Sequence, residues 1–246
     1  MIPAIRGWTA VERAPLANFR LGCALAFVAG AANAGGFLAV GQYTSHMTGA
    51  VSMVADHLVM GSVGMALAAA ASVVAFVMGA ATTAVLVNWG LRNGLFGAYC
   101  LPLALEAALL LVFGIFGAAI AAFPAFFAPV TVLLLCFLMG LQNAVITKIS
   151  KAEIRTTHVT GLVTDIGIEL GKALFVNWDT GKPGVAADRR KLHVHAWLAG
   201  CFFAGGLIGA LGFKHLGYVA TVPLALILAV LVARPIAQDL ARRRAP

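Results

Sequence analysis

Two short polar segments of this chain hold matching sets of side chains that could do chemistry. SHMTG spans 45–49 and THVTG spans 157–161, so each holds a hydroxyl, an imidazole, a second hydroxyl and a glycine in the same order. Each segment follows a Gly-x-x-Asn-Ala, at 30–34 and at 140–144. Hydroxyls and amides both donate and accept hydrogen bonds, and an imidazole titrates near neutral pH. The duplication predicts one polar site assembled from two pieces.

Each residue type in the two segments has a use in such a site. Ser45 or Thr157 can cap the helix that follows, and Gly49 and Gly161 permit a close approach or an unusual backbone angle. The competing interpretation is that these side chains only pack helices together. The candidates for a solute path are the polar residues of both segments and the polar residues inside apolar segments: Asn33, Ser45, His46, Thr48, Gly49, Glu106, Gln142, Asn143, Thr157, His158, Thr160, Gly161 and Asp165.

Four of these polar side chains lie in or at the end of apolar runs, where burial is unfavourable without partners. Asn33 and Asn143 occupy matching positions of the two copies, and Gln142 lies beside the second. Glu106 is the one carboxylate within an apolar segment, LPLALEAALLLVFG. The amides of Asn33, Gln142 and Asn143 either line a central solute path or form hydrogen bonds between helices. Glu106 either couples transport to a proton or cation, or is a neutral or hydrogen-bonded carboxyl near the inner interface.

Spacing gives no signature of a metal centre or of catalysis. His46 and His158 form an equivalent pair, and Asp165 and Glu169 follow the second, but no metal-ligand spacing links them. Neither HExxH nor GxSxG occurs, and the four cysteines include no CxxC pair. We therefore predict no metal, no cofactor and no enzymatic activity.

The composition places these residues in a membrane. Hydrophobic residues make up 61% of the 246 residues and charged residues 11%, whereas a soluble domain has about 25% charged residues. Because so little charge cannot cover a surface that faces water, an ordinary soluble domain is excluded. The net charge of +8 fits a basic inner face against anionic lipid and needs no nucleic acid.

Apolar segments and their connections predict the organisation of the chain. A bilayer core needs about 20 helical residues, and six segments qualify: 20–41, 62–88, 99–122, 127–147, 193–213 and 216–233. The runs behind the two pentapeptides, 50–61 and 162–175, are too short and too mixed to cross, so each is interpreted as a half-helix or re-entrant piece. The predicted parts are a cytoplasmic segment 1–19, a first repeat 20–122, a second repeat 127–233 with a long cytoplasmic connection 148–192, and a basic tail 234–246.

Charge and span number predict the topology. With a cytoplasmic N-terminus, 16 of the 17 Lys and Arg residues lie inside and only Lys214 lies outside. Three spans per half make the two halves enter the membrane from opposite sides, an arrangement seen in many transporters. The predicted fold is an all-α membrane protein with six transmembrane helices in two inverted three-helix repeats. Each repeat has a short re-entrant or half-helix segment after its first helix.

The stretch GFLAVGQYTSHMTG, followed by GLQNAV and TTHVTG, resembles the YoaK-like family, domain of unknown function 1275. The resemblance runs from about residue 20 to about residue 235. It implies six helices in the bacterial inner membrane and supplies no substrate, cofactor or reaction. Many relatives carry Asp where this chain has Asn33 and Asn where it has Ala50, so the resemblance weakens a cation mechanism at the first segment here.

Three functions compete at this level. The inverted repeat and the two polar segments favour a transporter or channel for a small solute or ion. A non-catalytic membrane scaffold or partner subunit would use the segments for packing only. An intramembrane enzyme that modifies a lipid would need a cluster such as His158, Asp165, Glu169, Lys172 and Asp179. The predicted partners are the bilayer and the solute. The sequence leaves undecided whether the chain also forms a homodimer, because Gly205–Gly209 is a small-residue pattern that packs helices either within one chain or between two chains.

Overall fold

The computed structural model describes residues 15–115, 124–150, 157–177 and 184–244, and all regular secondary structure within these ranges is helical. The helices are, in chain order, α1 (Pro15–Val40), α2 (Met47–Val59), α3 (Val63–Arg92), α4 (Cys100–Ile115), α5 (Pro124–Ile149), α6 (Val159–Leu174), α7 (Arg189–Leu216) and α8 (Thr221–Arg244). A 3-10 turn, Gly217–Ala220, separates α7 from α8. Gly217 has a φ of +59°, which glycine adopts without strain and which turns the chain back.

Four helical runs in the described ranges are long and apolar enough to cross a membrane, as is typical of a membrane protein. They are Leu16–Val40, Val63–Arg92, Phe127–Ile149 and Arg189–Arg242. The last run contains both α7 and α8, and the apolar α4 is described over 16 residues only. Part of the predicted span 99–122 lies outside the described residues, so the count of six spans stays a prediction.

The two helices that follow the polar segments are short. α2 has 13 residues and α6 has 16, which at 1.5 Å per residue gives lengths of about 20 and 24 Å. A bilayer core is about 30 Å thick. Neither helix is long enough to cross it, which agrees with the predicted half-helices.

Glycines bring α1 and α7 into backbone contact. Gly205 packs against the carbonyl of Phe27, and Gly209 packs against the backbone of Ala31, so both positions advance by four residues and the helices run parallel. A Cβ at either glycine would overlap the facing backbone. The small-residue pattern of α7 therefore packs helices within this chain, and close approach replaces the hydrophobic effect that lipid cannot supply.

The same contacts occur between α3 and α5. Gly79 packs against the carbonyl of Phe137, and the hydroxyl of Thr83 donates a 2.8 Å hydrogen bond to the carbonyl of Leu141. These two helices also run parallel. Gly79 and Gly205 are 126 residues apart, and Phe27 and Phe137, the residues against which Gly205 and Gly79 pack, are 110 residues apart.

Helices α4 and α8 run antiparallel. The hydroxyl of Thr221, at the start of α8, donates to the carbonyl of Leu110 near the end of α4. At the other end, the carboxylate of Asp239 accepts the N–H groups of Phe96 and Gly97, each at 2.8 Å. These bonds fix both ends of the pair, and they satisfy N–H groups that precede α4.

α1 and α5 form the centre of the molecule, and the short helices lie at its flanks. Half of the apolar window of α1 and 61% of that of α5 are buried, against 22% for α3. α2 packs on α3 and α6 packs on α7, while α1 and α5 pack on each other. The late part of α1 and the starts of α2 and α6 are thereby held around one point.

Candidate functional site

The two polar segments meet at one cavity of about 350 Å³, which we term the paired-segment cavity. It lies between the late part of α1, the connection to α2, the start of α6 and the middle of α7. The residues that line it are Asn33, Tyr43, Ser45, His46, Thr157, Val159, Thr160 and Phe202. Hydroxyls from both copies thus face one space, although the segments are more than a hundred residues apart in the chain.

Asn33 holds the first segment in place. Its Oδ1 accepts the N–H of Ser45 at 3.0 Å and the hydroxyl of Ser45 at 2.9 Å. The expectation that Ser45 caps α2 is wrong, because its hydroxyl is directed back to α1 and the N-cap residue of α2 is His46. Thr157 likewise does not cap α6, whose N-cap residue is His158.

Both short helices start beside the cavity with uncapped N-termini. Neither His46 nor His158 makes a side-chain capping bond. Each imidazole lies against the glycine three residues on, Gly49 or Gly161, where a Cβ would collide with the ring. Glycine is needed at these two positions because the imidazole ring lies where a side chain would start, and not because the backbone has an unusual φ. The first N–H groups of a helix carry partial positive charge, so two such ends favour anions or electron-rich polar groups.

Among its described lining residues, the paired-segment cavity has no Asp, Glu, Lys or Arg. His46 and Tyr43 are the titratable side chains in that lining. Thr48, in the first turn of α2, is exposed and is not part of the lining. His158 is also exposed and outside the lining. The lining therefore combines hydroxyl, amide and imidazole groups with apolar side chains.

Two amide side chains of α5 have buried atoms without a hydrogen-bond partner in the described structure. Gln142 is fully buried, and neither its Oε1 nor its Nε2 has a hydrogen-bond partner in the described structure. The Oδ1 of Asn143 is also buried without a partner there, while its backbone carbonyl accepts the hydroxyl of Thr147 at 2.7 Å. Gln142 therefore lies within the protein and Asn143 is half-buried, and both lie outside the lining of the paired-segment cavity.

Glu106 lies apart from this cavity. Its side chain is fully buried, and it shares α4 with the buried residues Leu103, Ala107 and Leu110. Neither carboxylate oxygen has a hydrogen-bond partner within the ranges described. The structure does not bring Glu106 together with the polar segments.

A second cavity, of about 470 Å³, lies beside α6 and the start of α7, and we term it the charged cavity. Its lining combines acidic, basic and neutral polar residues: Asn18, Phe19, Ser150, Asp165, Glu169, Asp188, Arg190, Lys191, Val194 and His195. The Oδ2 of Asp165 lies 3.7 Å from Nδ1 of His195. Of the solute-path candidates from sequence, Asp165 lies in this lining, and Glu169, considered for the enzyme alternative, lies there too.

Glu169 organises the wall of the charged cavity. Its carboxylate accepts Lys172 Nζ at 2.8 Å and the N–H of Asp188 at 2.7 Å. These two bonds lower the pKa of Glu169 below its ordinary value of 4.5. The N–H groups of Lys191 and Arg190 lower the pKa of Asp188, the N-cap residue of α7.

Sequence reasoning missed several lining residues. Tyr43 lies two residues before the first polar segment and Val159 lies within the second, so proximity was a usable signal for both. Phe202 gave none, because one aromatic in an apolar helix looks like any other. Asp179 lies outside the described residues. Within the described part of the chain, no three His, Cys, Asp or Glu side chains group as metal ligands would.

Comparison with known proteins gives one match. A family model described as "Protein of unknown function (DUF1275)" covers residues 21–233. This confirms the family resemblance inferred from the repeated motifs. No curated protein and no solved structure matches the chain.

Proposed function

We propose that this chain, which belongs to the DUF1275 family, is a transporter or channel for a small polar solute or ion. One observation carries the proposal: both polar segments line one cavity between long apolar helices. Non-helical backbone within a membrane is tolerated only where protein or a water-filled space surrounds it. The proposal places the chain in the bacterial inner membrane with both termini in the cytoplasm, and it assigns no catalytic step.

The proposed architecture is six transmembrane helices in two inverted repeats. Contacts that recur at fixed spacing support it, since Gly79 packs on Phe137 as Gly205 packs on Phe27. The helix directions support it as well. Six alternating spans with a re-entrant helix after the first span of each half require α1 parallel to α7, α3 parallel to α5 and α4 antiparallel to α8.

The lining favours a small solute with hydrogen-bonding groups. A volume of about 350 Å³ is at the lower end of the ~300–1,000 Å³ of ligand pockets. Hydroxyls of Ser45, Thr157 and Thr160 can donate or accept, and the two helix N-termini favour an oxygen or a negative charge. An anion or a neutral polar solute is therefore preferred to a metal cation.

Osmotic swelling of proteoliposomes tests the function across several classes of solute at once. Liposomes with and without the protein are shrunk in chloride, phosphate, acetate, glycine or glycerol, and reswelling is followed by light scattering. We expect the protein to speed reswelling for at least one of these solutes. A scaffold would leave every rate at the protein-free value, and that result would refute the proposal.

A further inference from the structure

Asn33 and Asn143 occupy the same position of the two copies but differ in hydrogen bonding. Asn33 Oδ1 accepts two hydrogen bonds from Ser45, at 3.0 and 2.9 Å. Asn143 Oδ1 is buried and has no partner in the part of the chain that is described, although Thr157 corresponds to Ser45. A buried amide oxygen without a partner is unfavourable. A conformation in which Thr157 donates to Asn143 would relieve that cost.

The two copies also differ in the space beside their short helices. His195 of α7 lines the charged cavity beside α6. Helices α3 and α7 make matching glycine contacts, Gly79 with Phe137 and Gly205 with Phe27, and the two glycines are 126 residues apart. By the same spacing, Ala69 of α3 is the counterpart of His195 of α7. Ala69 is only 5% exposed, and it lines neither cavity. The second copy thus has a cavity beside its short helix at His195, whereas the matching residue of the first copy, Ala69, is buried.

We propose that Asn33 with Ser45, and Asn143 with Thr157, are two latches that close in turn during transport. In this structure the first latch is closed and ties the start of α2 to α1, while the second latch is open. An inverted repeat allows its two copies to exchange conformations, so that the solute site faces each side of the membrane in turn. The inference rests on the proposed transport function and makes the protein a carrier.

The opposite state follows from the exchange. Thr157 donates to Asn143 Oδ1, Ser45 leaves Asn33, Ala69 becomes accessible and His195 becomes buried. One latch is closed in each state, so the hydrogen bonds lost in one copy are regained in the other. The two states then differ little in free energy, and a solute that binds one state better can shift the balance.

Cysteine labelling tests the exchange directly. The background carries alanine in place of the native cysteines Cys23, Cys100, Cys136 and Cys201. Two matched reporters, Ala69→Cys and His195→Cys, are reacted separately with a membrane-impermeant maleimide in membrane vesicles of each orientation. Each reporter is combined with Asn33→Ala, with Asn143→Ala, or with neither.

Opposite effects on the two reporters are expected. Loss of the first latch by Asn33→Ala should speed labelling at position 69 from the outside several-fold and slow labelling at position 195 from the inside. Loss of the second latch by Asn143→Ala should do the reverse. Unchanged rates in folded Asn33→Ala protein would overturn the proposal, as would acceleration of both reporters together, which indicates loosening and not exchange.

Two features keep the test decisive. If cysteine at the buried position 69 prevents folding, the reporter at position 195 alone still distinguishes slower labelling in Asn33→Ala from unchanged labelling. Labelling also separates this inference from the proposed function. Unchanged labelling with intact solute permeation refutes the latches and leaves transport standing, whereas opposed labelling shifts without permeation of any tested solute support the latches and refute the proposed transport.

Discussion

Gly205 of α7 packs directly against the backbone carbonyl of Phe27 in α1, with no room for a side chain between the two helices. The contact is repeated by Gly79 and Phe137 between α3 and α5. In lipid, such close packing supplies the van der Waals attraction that holds helices together. These glycine contacts position the central helices that carry Asn33 and Asn143.

Substitution Gly205→Leu should destabilise the protein strongly. The leucine must push α7 away from α1, and overpacking costs about 1–3 kcal/mol or more. Gly200→Leu is the matched control, because a side chain there, on the same helix, would meet no atom within 4 Å. Thermal unfolding in detergent measures both. Equal melting temperatures for the two variants would contradict the packing of α7 on α1.

Substitution Glu106→Leu should leave solute permeation intact and should not lower thermal stability. The carboxyl is fully buried and has no hydrogen-bond partner among the described residues, and replacing such a group with an apolar one is neutral or stabilising. Reswelling rates and melting temperatures of the variant check this. Loss of permeation in a folded variant would show that Glu106 belongs to the solute path.

Acid should remove the contribution of Glu169 to stability. Its pKa is lowered in the folded protein by Lys172 and by the N–H of Asp188, so the unfolded chain binds a proton more readily. The stabilisation is therefore present above the ordinary value of 4.5 and is lost as pH falls through the lowered folded pKa. Melting temperatures of wild type and Glu169→Gln should differ at neutral pH and converge in acid. A difference that persists below the folded pKa would contradict this role of the ionised carboxylate.

The positions of the helices and of the two polar segments could be predicted because both are visible as local patterns in the sequence. Long apolar runs give the helix positions. The duplicated motifs pointed to five residues that line one cavity, Asn33, Ser45, His46, Thr157 and Thr160, while Asn143, Thr48 and His158 of the same motifs lie outside its lining. The caps were predicted wrongly because a serine before a helix can bond forward to that helix or back to another one. Ser45 bonds back to Asn33, and only the tertiary arrangement decides between the two.

The charged cavity was not foreseen as a unit. Its residues come from the start of α1, the end of α5, α6 and the start of α7, and no local pattern reports that these meet. His195 was indistinguishable from a histidine anchored at the membrane interface. Glu106 shows the opposite difficulty, since its residue type suggested function while its position in the fold separates it from both cavities.

Comparison of Thr160→Val with Thr48→Val in the swelling assay tests the central claim most directly. Both changes remove a hydroxyl from the start of a short helix, at matching positions of the two segments. Thr160 lines the paired-segment cavity and Thr48 does not. We expect Thr160→Val to slow solute reswelling about two- to twelvefold, equivalent to one hydrogen bond of about 0.5–1.5 kcal/mol, and Thr48→Val to leave it unchanged. Unchanged permeation in folded Thr160→Val, or equal losses in both variants, would contradict a solute path through this cavity.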